Sequence, residues 1–324
     1  MVASGAWGAS GRGGGGGGGG SDVGGAMAAG HARGALALSP VSTVSPSRRV
    51  ATHARTAVAH TAQEDMARPR NDEGSGVGAW VRRWWRALLA ELVSTALLVW
   101  LGCATLVPIA GPTSVQLTHP AFAFGFVVVA NICAFGAASG AHMNPAVTLA
   151  ALIYGQLEWL PALTYVIAQL VGAVIGFAGL VATSPADVVF NKTGVTLPGP
   201  GVSPLAAVAT EAAITGTLVM TVCGIWAAHD PLRPDYSAPL KIGVVIAGLV
   251  YVGGPATGAS LNPARSFGAA LVQNMWECHW VYWVGPLLGG ALAALLHRWV
   301  LTPSRSSAAA AEPQDAEIPL NDKP

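Results

Sequence analysis

Two short stretches decide the fold of this chain: Ser139–Thr148, which reads SGAHMNPAVT, and Thr257–Gly268, which reads TGASLNPARSFG. Each contains the tripeptide Asn-Pro-Ala, first as Asn144-Pro145-Ala146 and again as Asn262-Pro263-Ala264. Proline is favoured at the first position of a helix, and asparagine is favoured at the capping position before it. Both tripeptides therefore predict the start of a helix.

The helices that start at these motifs are too short to cross a membrane. Their apolar segments, Pro145–Leu157 and Pro263–Met275, contain about 13 residues each, whereas a crossing helix needs roughly 20. A half-length apolar helix must be re-entrant, and its non-helical end must be covered by protein or face a water-filled cavity. We interpret both segments as re-entrant half-helices.

Composition places most of the chain in a lipid bilayer. Of the 324 residues, 52% are hydrophobic and only 10% are charged, which is too little charge to coat a soluble protein of this length. The net charge of +1 gives no indication of a nucleic-acid partner. Long uncharged stretches predict six transmembrane helices, at about Ala87–Ala110, His119–Ala138, Pro161–Thr183, Pro204–Ala228, Ala238–Gly254 and Trp280–Val300.

The positions of lysine and arginine predict the orientation of these spans. With the N-terminus in the cytoplasm, the outer loops contain only Lys192 and Arg265. The cytoplasmic side then holds Arg82, Arg83, Arg86, Arg233, Lys241, Arg298 and Arg305. This positive-inside distribution places both termini in the cytoplasm. It also places the sequon Asn191-Lys192-Thr193 outside, where Asn191 could be glycosylated.

The two ends of the chain differ in composition from the membrane domain. Residues 1–80 contain the glycine run Gly13–Gly20 and are otherwise rich in Ser, Ala, Pro and Arg. Such a segment buries too little apolar surface to offset the entropy of ordering, so we predict a disordered cytoplasmic extension. The stretch from Val23 to Gln63 has several arginines and no acidic residue, and it also resembles a transit peptide. Residues 304–324 are predicted to be a disordered tail, which leaves 81–303 as the membrane domain.

The membrane domain contains an internal repeat, covering about residues 87–183 and 204–300. Glu91 in the first span lies 53 residues before Asn144, and Glu211 in the fourth span lies 51 residues before Asn262. Because three spans are an odd number, the second copy must be inverted relative to the first. We predict that each glutamate accepts hydrogen bonds from backbone N–H groups of the loop that leads into its half-helix.

Glycine pairs with four-residue spacing predict close helix crossings within the protomer. These pairs are Gly136/Gly140, Gly172/Gly176, Gly254/Gly258 and Gly285/Gly289.

Inverted repeats place the working site near the bilayer midplane, where the broken helices meet. Each half-helix would direct the partial positive charge of its N-terminus to this point, which opposes the passage of cations and protons. Asn144 and Asn262 could cap the helices with their side-chain oxygens and offer their amide N–H groups to passing hydroxyls. The sequence therefore predicts a pore.

These paired motifs resemble the signatures of the major intrinsic protein family, the aquaporins, over about Trp84–Pro303. The resemblance implies an all-α membrane fold of six transmembrane helices and two re-entrant half-helices, with a pore in each protomer of a homotetramer. It implies a passive channel with no cofactor, no metal and no catalytic residue. The four cysteines are too few and too scattered for a zinc site or a disulfide framework.

The resemblance also assigns an outer constriction, or selectivity filter, to Phe124, Val250, Ala259 and Arg265. An arginine at position 265 is always charged and costly to expose to lipid, so it should line the pore. Strict water channels of the family usually carry a histidine where Val250 stands. A valine in place of the histidine removes a hydrogen-bond donor and widens the pore on that side. The wider pore would suit glycerol or urea.

Other positions resemble strict water channels. Ser266, Ala270 and Tyr282-Trp283 follow the water-channel pattern, whereas glycerol facilitators carry an acid where Ser266 stands. The later half of the chain, from Ala247–Val250 through His279–Trp283, resembles arthropod channels called entomoglyceroporins, which lost the same histidine. We therefore predict a plasma-membrane channel for water and for small neutral solutes such as glycerol or urea. A strict water channel, a secondary transporter that uses the intramembrane glutamates, and a junctional structural protein are the alternatives.

Overall fold

The computed structural model describes residues 76–108, 116–184, 192–230 and 232–302. Residues 1–75 of the predicted extension, the sequon residue Asn191 and the C-terminal tail lie outside these described residues. Within them the chain is all-α, and six helices are long and apolar enough to cross a membrane. Two shorter helices follow the Asn-Pro-Ala motifs. The predicted architecture of six spans and two half-helices is thus confirmed.

The helices are, in chain order, α1 (Val77–Ala104), α2 (Thr118–Ser139), α3 (Pro145–Tyr154), α4 (Trp159–Thr183), α5 (Pro204–Ala227), α6 (Ala238–Thr257), α7 (Pro263–Gln273) and α8 (Val281–Leu296). The half-helices are α3 and α7, with 10 and 11 residues. A π-helical turn, His297–Leu301, extends α8.

Helix pairing repeats between the two halves of the chain. In the first half α1 packs against α4, and in the second half α5 packs against α8 in the same way. The spans α2 and α6 pack against each other where the halves join. Each half-helix contacts the last span of the other half, α3 against α8 and α7 against α4. Each half of the chain therefore supports the re-entrant helix of the other half.

Glycines permit the closest of these crossings. A Cβ atom at Gly176 of α4 would lie 2.1 Å from the carbonyl oxygen of Ala96 in α1. A Cβ atom at Gly289 of α8 would lie 2.0 Å from the carbonyl oxygen of Ala212 in α5. These distances are shorter than any real carbon–oxygen contact, so the backbones approach in a way that only glycine allows. The crossings predicted for Gly172/Gly176 and Gly285/Gly289 are present.

In the other two pairs the prediction of a close crossing is wrong for Gly140 and Gly258, whereas a Cβ atom at Gly254 would lie 2.6 Å from Cδ1 of Leu117. Gly140 and Gly258 are the C-caps of α2 and α6, and both adopt the left-handed conformation, with φ of 85° and 78°. Glycine is favoured there because this conformation ends a helix and strains other residues. Spacing alone does not distinguish a helix crossing from a cap.

The first span starts earlier than predicted. The helix α1 begins at Val77, before the predicted start at Ala87 and within the region 1–80 that was assigned to the disordered extension. Tryptophan and arginine occupy its first turns, including Trp80 and Arg82. Because these side chains suit the interface between lipid and water, the helix continues beyond the stretch that a count of apolar residues detects. It ends at Ala104, and the predicted end at Ala110 lies outside the described residues.

Left-handed caps end both half-helices before their predicted ends at Leu157 and Met275. Gly155 after α3 has a φ of 86°, and Asn274 after α7 has a φ of 50°. Glycine and asparagine are the residues that adopt this conformation most readily. The apolar residues beyond these caps belong to the loops.

The fifth span is longer than predicted. The helix α6 continues past Gly254 and through Pro255 to Thr257. Because Pro255 lies in the last turn, its missing N–H group removes one hydrogen bond near the end of the helix without ending it. The left-handed Gly258 ends α6 instead.

Candidate pore and outer constriction

Asn144 and Asn262 cap the two half-helices, as predicted. The side-chain oxygen of Asn144 accepts a hydrogen bond from the backbone N–H of Ala146 at 2.9 Å. The side-chain oxygen of Asn262 accepts from the backbone N–H groups of Ala264, at 2.9 Å, and of Arg265, at 3.3 Å. The remaining motif residues, Pro145 and Pro263 together with both alanines, are buried.

The amide nitrogens of the two asparagines hold the two motifs together. The Nδ2 atom of Asn144 donates to the carbonyl oxygen of Leu261 at 2.8 Å, and the Nδ2 atom of Asn262 donates to that of Met143 at 2.7 Å. The N-termini of α3 and α7 therefore meet. Since an amide nitrogen carries two hydrogens, each asparagine retains one N–H that can bind a passing solute.

Glu91 holds the loop in front of α3. Its Oε1 accepts hydrogen bonds from the hydroxyl of Ser139 at 2.6 Å and from the backbone N–H of His142 at 2.9 Å. Its Oε2 accepts from the backbone N–H of Met143 and from Nε2 of Gln169, both at 2.8 Å. The side chain has no exposed surface. The carboxylate thus binds the re-entrant loop, as the repeat predicted.

Glu211 holds the equivalent loop in front of α7. Its Oε1 accepts from the hydroxyl of Thr257 at 2.6 Å and from the backbone N–H of Ser260 at 2.9 Å, while its Oε2 accepts from the N–H of Leu261 at 2.8 Å. This arrangement repeats that of Glu91, except that no described side chain takes the place of Gln169.

The two loops that the glutamates hold have a strained backbone. Ala141 and Met143 have φ of 48° and 54°, and Ala259 and Leu261 have φ of 46° and 53°. Non-glycine residues in this region cost of order 1–3 kcal/mol each and persist only where the surroundings enforce them. The buried glutamates supply that enforcement, because they bind the N–H groups of the strained Met143 and Leu261 and those of the residues just before them.

A cavity of about 630 Å³ runs past the meeting point of the half-helices. Both capping asparagines line it, and so do all four residues predicted for the outer constriction, Phe124, Val250, Ala259 and Arg265. Neither glutamate lines it. The structure therefore brings the predicted pore residues to one cavity and keeps the two carboxylates behind its wall.

The four residues predicted for the outer constriction combine one cation with an apolar wall. Arg265 is 3% exposed, and its Nη1 donates to the carbonyl oxygen of Gly194. Its guanidinium carbon lies 5.6 Å from the centre of the Phe124 ring, which is the distance of a cation–π contact. Val250 and Ala259 belong to one buried apolar cluster beside it. This end of the cavity therefore offers hydrogen-bond donors on one side and hydrocarbon on the other.

Polar residues of the α5–α6 loop line the other end of the cavity. They include His229, Asp235 and Tyr236. The Nζ atom of Lys241 donates to Asp235 at 2.6 Å, and this hydrogen bond, together with those from the hydroxyl and the backbone N–H of Ser237, lowers the pKa of Asp235 to about 2. The carboxylate at this mouth is therefore ionised at neutral pH.

Some residues that support the site were not singled out from the sequence. Gln169 in α4 also donates to the hydroxyl of Thr148 at 2.9 Å, and Asn131 in α2 donates to the carbonyl oxygen of Ser94 at 2.9 Å. Polar amides inside otherwise apolar spans are a signal that could have identified both. Thr196 lies in a loop and carries no such signal.

Comparison with known proteins agrees with this geometry. Residues 80–297 match the family model described as Major intrinsic protein. The lens fiber major intrinsic protein of Lithobates pipiens is 42% identical over 227 residues, which are 68% of this chain and 82% of that protein. Aquaporin TIP4-4 of Zea mays is 41% identical over 219 residues, which are 65% of this chain and 85% of that protein.

One solved structure shares the fold. The X-ray structure of the aquaglyceroporin from Plasmodium falciparum matches with a TM-score of 0.60 and 23% sequence identity, over 68% of this chain and 98% of that one. Six spans, two half-helices and a cavity where they meet define a multi-pass membrane channel. The chain belongs to the major intrinsic protein family, the aquaporins, whose members are channels and not enzymes.

Proposed function

We propose that this channel passes water together with small uncharged solutes such as glycerol or urea, and that it excludes ions and protons. The observation that carries the proposal is the single cavity lined by both capping asparagines and by the four residues Phe124, Val250, Ala259 and Arg265. A solute in this cavity meets hydrogen-bond donors at two points along an otherwise mostly apolar wall.

Ion exclusion follows from the charges that face the cavity. The N-termini of α3 and α7 both point at the asparagine pair, and each contributes a partial positive charge. Arg265 adds a full positive charge at the constriction. A cation or a proton would have to pass all three without a carboxylate beside them, since Glu91 and Glu211 do not line the cavity and Asp235 lies at its other end.

A broader substrate range than water follows from Val250 and Ala259. Both side chains are apolar, small and buried at the constriction. They leave one wall without donors, against which the carbon backbone of glycerol can lie while its hydroxyls face Arg265. The resemblance of this region to entomoglyceroporins supports the same substrate range. The alternative is a strict water channel, which the serine at position 266 would fit.

Substitution of Val250 separates these two substrate ranges. We expect Val250→His to reduce uptake of labelled glycerol and urea by at least about tenfold in oocytes, with osmotic water permeability largely retained. The reason is that the imidazole ring narrows the pore at its apolar wall. Val250→Thr is the matched control, since threonine has nearly the shape of valine and adds only a hydroxyl. If Val250→Thr loses glycerol flux as well, the polarity of the side chain at position 250 determines selectivity, and the width of the pore does not. A wild type that passes water alone would contradict the broader substrate range.

Two rival functions predict different fluxes. A secondary transporter would accumulate solute against a gradient, and it would need a coupling site in the cavity. The two glutamates do not suit this role, because their oxygens are occupied by the re-entrant loops. A junctional structural protein would show negligible water and solute flux. Solute uptake that stops at equilibrium, in proteoliposomes of matched protein content, would contradict both rivals.

We also propose a homotetramer in the plasma membrane, with both termini in the cytoplasm. Six spans place the termini on one side, and the distribution of lysine and arginine favours the cytoplasm. This orientation places Asn191 outside, where an N-glycan would be removed by endoglycosidase treatment. Fluorescence microscopy of the full-length chain and chemical cross-linking in membranes test location and assembly.

A further inference from the structure

Three residues of the half-helix α7 bind the short loop segment 193–196. Nη1 of Arg265 donates to the carbonyl oxygen of Gly194, and Nε2 of Gln273 donates to that of Thr193 at 2.7 Å. The hydroxyls of Ser266 and Thr196 lie 2.7 Å apart. We call residues 193–196 the loop strap. It lies against the same end of the cavity as the constriction.

The contact between Ser266 and Thr196 belongs to a longer chain of hydroxyls. The oxygen atoms of Ser266 and Ser260 are 2.6 Å apart, and the hydroxyl of Ser260 donates to the carbonyl oxygen of Asn262 at 2.9 Å. Because Ser260 uses its one hydrogen there, Ser266 donates to Ser260 and Thr196 donates to Ser266. All three hydroxyl residues are at most 5% exposed. A one-directional relay thus links the loop strap to the capping asparagine of α7, and hydrogen bonds in such series strengthen one another.

We propose that Thr196 and Ser266 are positioning residues of the outer constriction. The relay fixes the loop strap, the strap fixes the carbonyl oxygen of Gly194, and this oxygen holds the guanidinium of Arg265 against the cavity wall. The inference rests on the proposed role of Arg265 in the constriction, and it assigns control of that arginine to residues that do not contact the solute.

The surroundings of Arg265 explain why this control matters. Its Nε is buried and has no hydrogen-bond partner among the described residues, so the bond to Gly194 is the only side-chain hydrogen bond that they provide to the guanidinium. The other contact of the cation is the ring of Phe124, which also lines the cavity. If the loop strap is released, the guanidinium is free to move into the lumen, where water can satisfy Nε. The pore then narrows at its outer end.

Substitutions of Thr196 test this device with little change of shape. In proteoliposomes of matched protein content, we expect Thr196→Val to lower water permeability by up to about fivefold, the factor by which one hydrogen bond of ordinary net strength changes a conformational equilibrium constant. Thr196→Ser keeps the hydroxyl and should retain wild-type permeability. Thr217→Val is the control, because the hydroxyl of Thr217 faces outward and bonds only to its own helix, at the carbonyl oxygen of Ala213.

Two further measurements separate positioning from a loss of folded protein. The activation energy of water permeation, after subtraction of the lipid background, should rise in Thr196→Val, since a narrowed pore changes each channel whereas misfolding only reduces their number. Ser266→Ala should have the same effect, and the double variant should be no worse than either single variant, because both substitutions break one relay. Unchanged permeability and activation energy in both single variants would overturn the proposal, and so would additive losses.

The proposed substrate range is judged separately from this inference. A wild type that passes water and no glycerol contradicts only the broader substrate range, and the relay is still tested through water. A wild type that passes glycerol, with relay variants indistinguishable from it, contradicts only the relay.

Discussion

Glu91 and Glu211 show how one residue type in a membrane span can have a structural role. Each carboxylate binds two consecutive backbone N–H groups of a re-entrant loop, at residues 142 and 143 in the first half and at 260 and 261 in the second. These N–H groups have no helix or sheet partner, and an unsatisfied one would be costly away from water. The carboxylates replace the solvent that the loops cannot reach.

This role predicts a difference in stability between the two glutamates. We expect Glu91→Gln to lower the free energy of unfolding by about 2–3 kcal/mol, because the NH2 group of an amide cannot accept the hydrogen bonds that the second carboxylate oxygen accepts. Glu211→Gln should have a smaller effect, since no side chain among the described residues binds Glu211 as Gln169 binds Glu91. Thermal unfolding in detergent would measure both variants. Glu158→Gln is the control at an exposed position, and an equal midpoint for Glu91→Gln and the wild type would contradict the role.

At the scale of elements, the crossings of α1 with α4 and of α5 with α8 determine where the half-helices lie. Each half-helix packs against the last span of the other half, so a shift of α4 moves α7 and a shift of α8 moves α3. The carbonyl oxygen of Ala173 in α4 would lie 2.5 Å from a Cβ atom at Gly268 in α7. A close contact of this kind transmits a displacement of a span to the pore.

Adding one methyl group at such a crossing should destabilise the fold. We expect Gly289→Ala to lower the free energy of unfolding by about 1–3 kcal/mol, because its Cβ would overlap the carbonyl oxygen of Ala212 and force α8 away from α5. Gly248→Ala is the matched control in α6, where nothing lies within 4 Å of an added Cβ. Thermal unfolding in detergent compares the two. Equal unfolding midpoints for Gly289→Ala and Gly248→Ala would show that α8 and α5 have room for the added methyl group.

At the scale of the whole molecule, the two asparagines join the halves of the chain. Asn144 donates a hydrogen bond to the carbonyl oxygen of Leu261, and Asn262 donates one to that of Met143. Each capping residue therefore binds the loop of the opposite half. Loss of either bond would weaken the contact that keeps the other in place.

The reciprocal bonds predict energetic coupling between distant parts of the sequence. Asn144→Ala and Asn262→Ala should each cost at least about 1 kcal/mol, the typical contribution of a helix cap. The loss of unfolding free energy in the double variant should differ from the sum of the two single losses by at least about 0.5 kcal/mol, as it does for residues in contact. Unfolding by SDS titration gives the free energies. Ser203→Ala, which removes the cap of α5, is the control and should be additive with Asn144→Ala. Strict additivity of the asparagine pair would contradict the coupling.

The sequence by itself determined the architecture, because lipid restricts the backbone so strongly. Apolar length distinguishes a span from a half-span, and the Asn-Pro pairs mark where the half-helices start. The repeat then related Glu91 to Glu211 and Asn144 to Asn262, and both pairs have equivalent hydrogen bonds in the structure. These inferences need only local patterns and their recurrence.

Only the tertiary structure decided which loops and side chains support the pore. Thr196 reaches Ser266 across 70 positions, and Arg265 reaches Gly194 across 71. Nothing in the residues near Thr196 distinguishes it from other loop threonines, since its role comes from the segment that folding places over α7. Helix ends such as Gly155 and Asn274 also depended on backbone conformations that apolar length does not encode. Patterns along the chain specify what must be buried, whereas the packing of distant segments specifies which polar atoms meet.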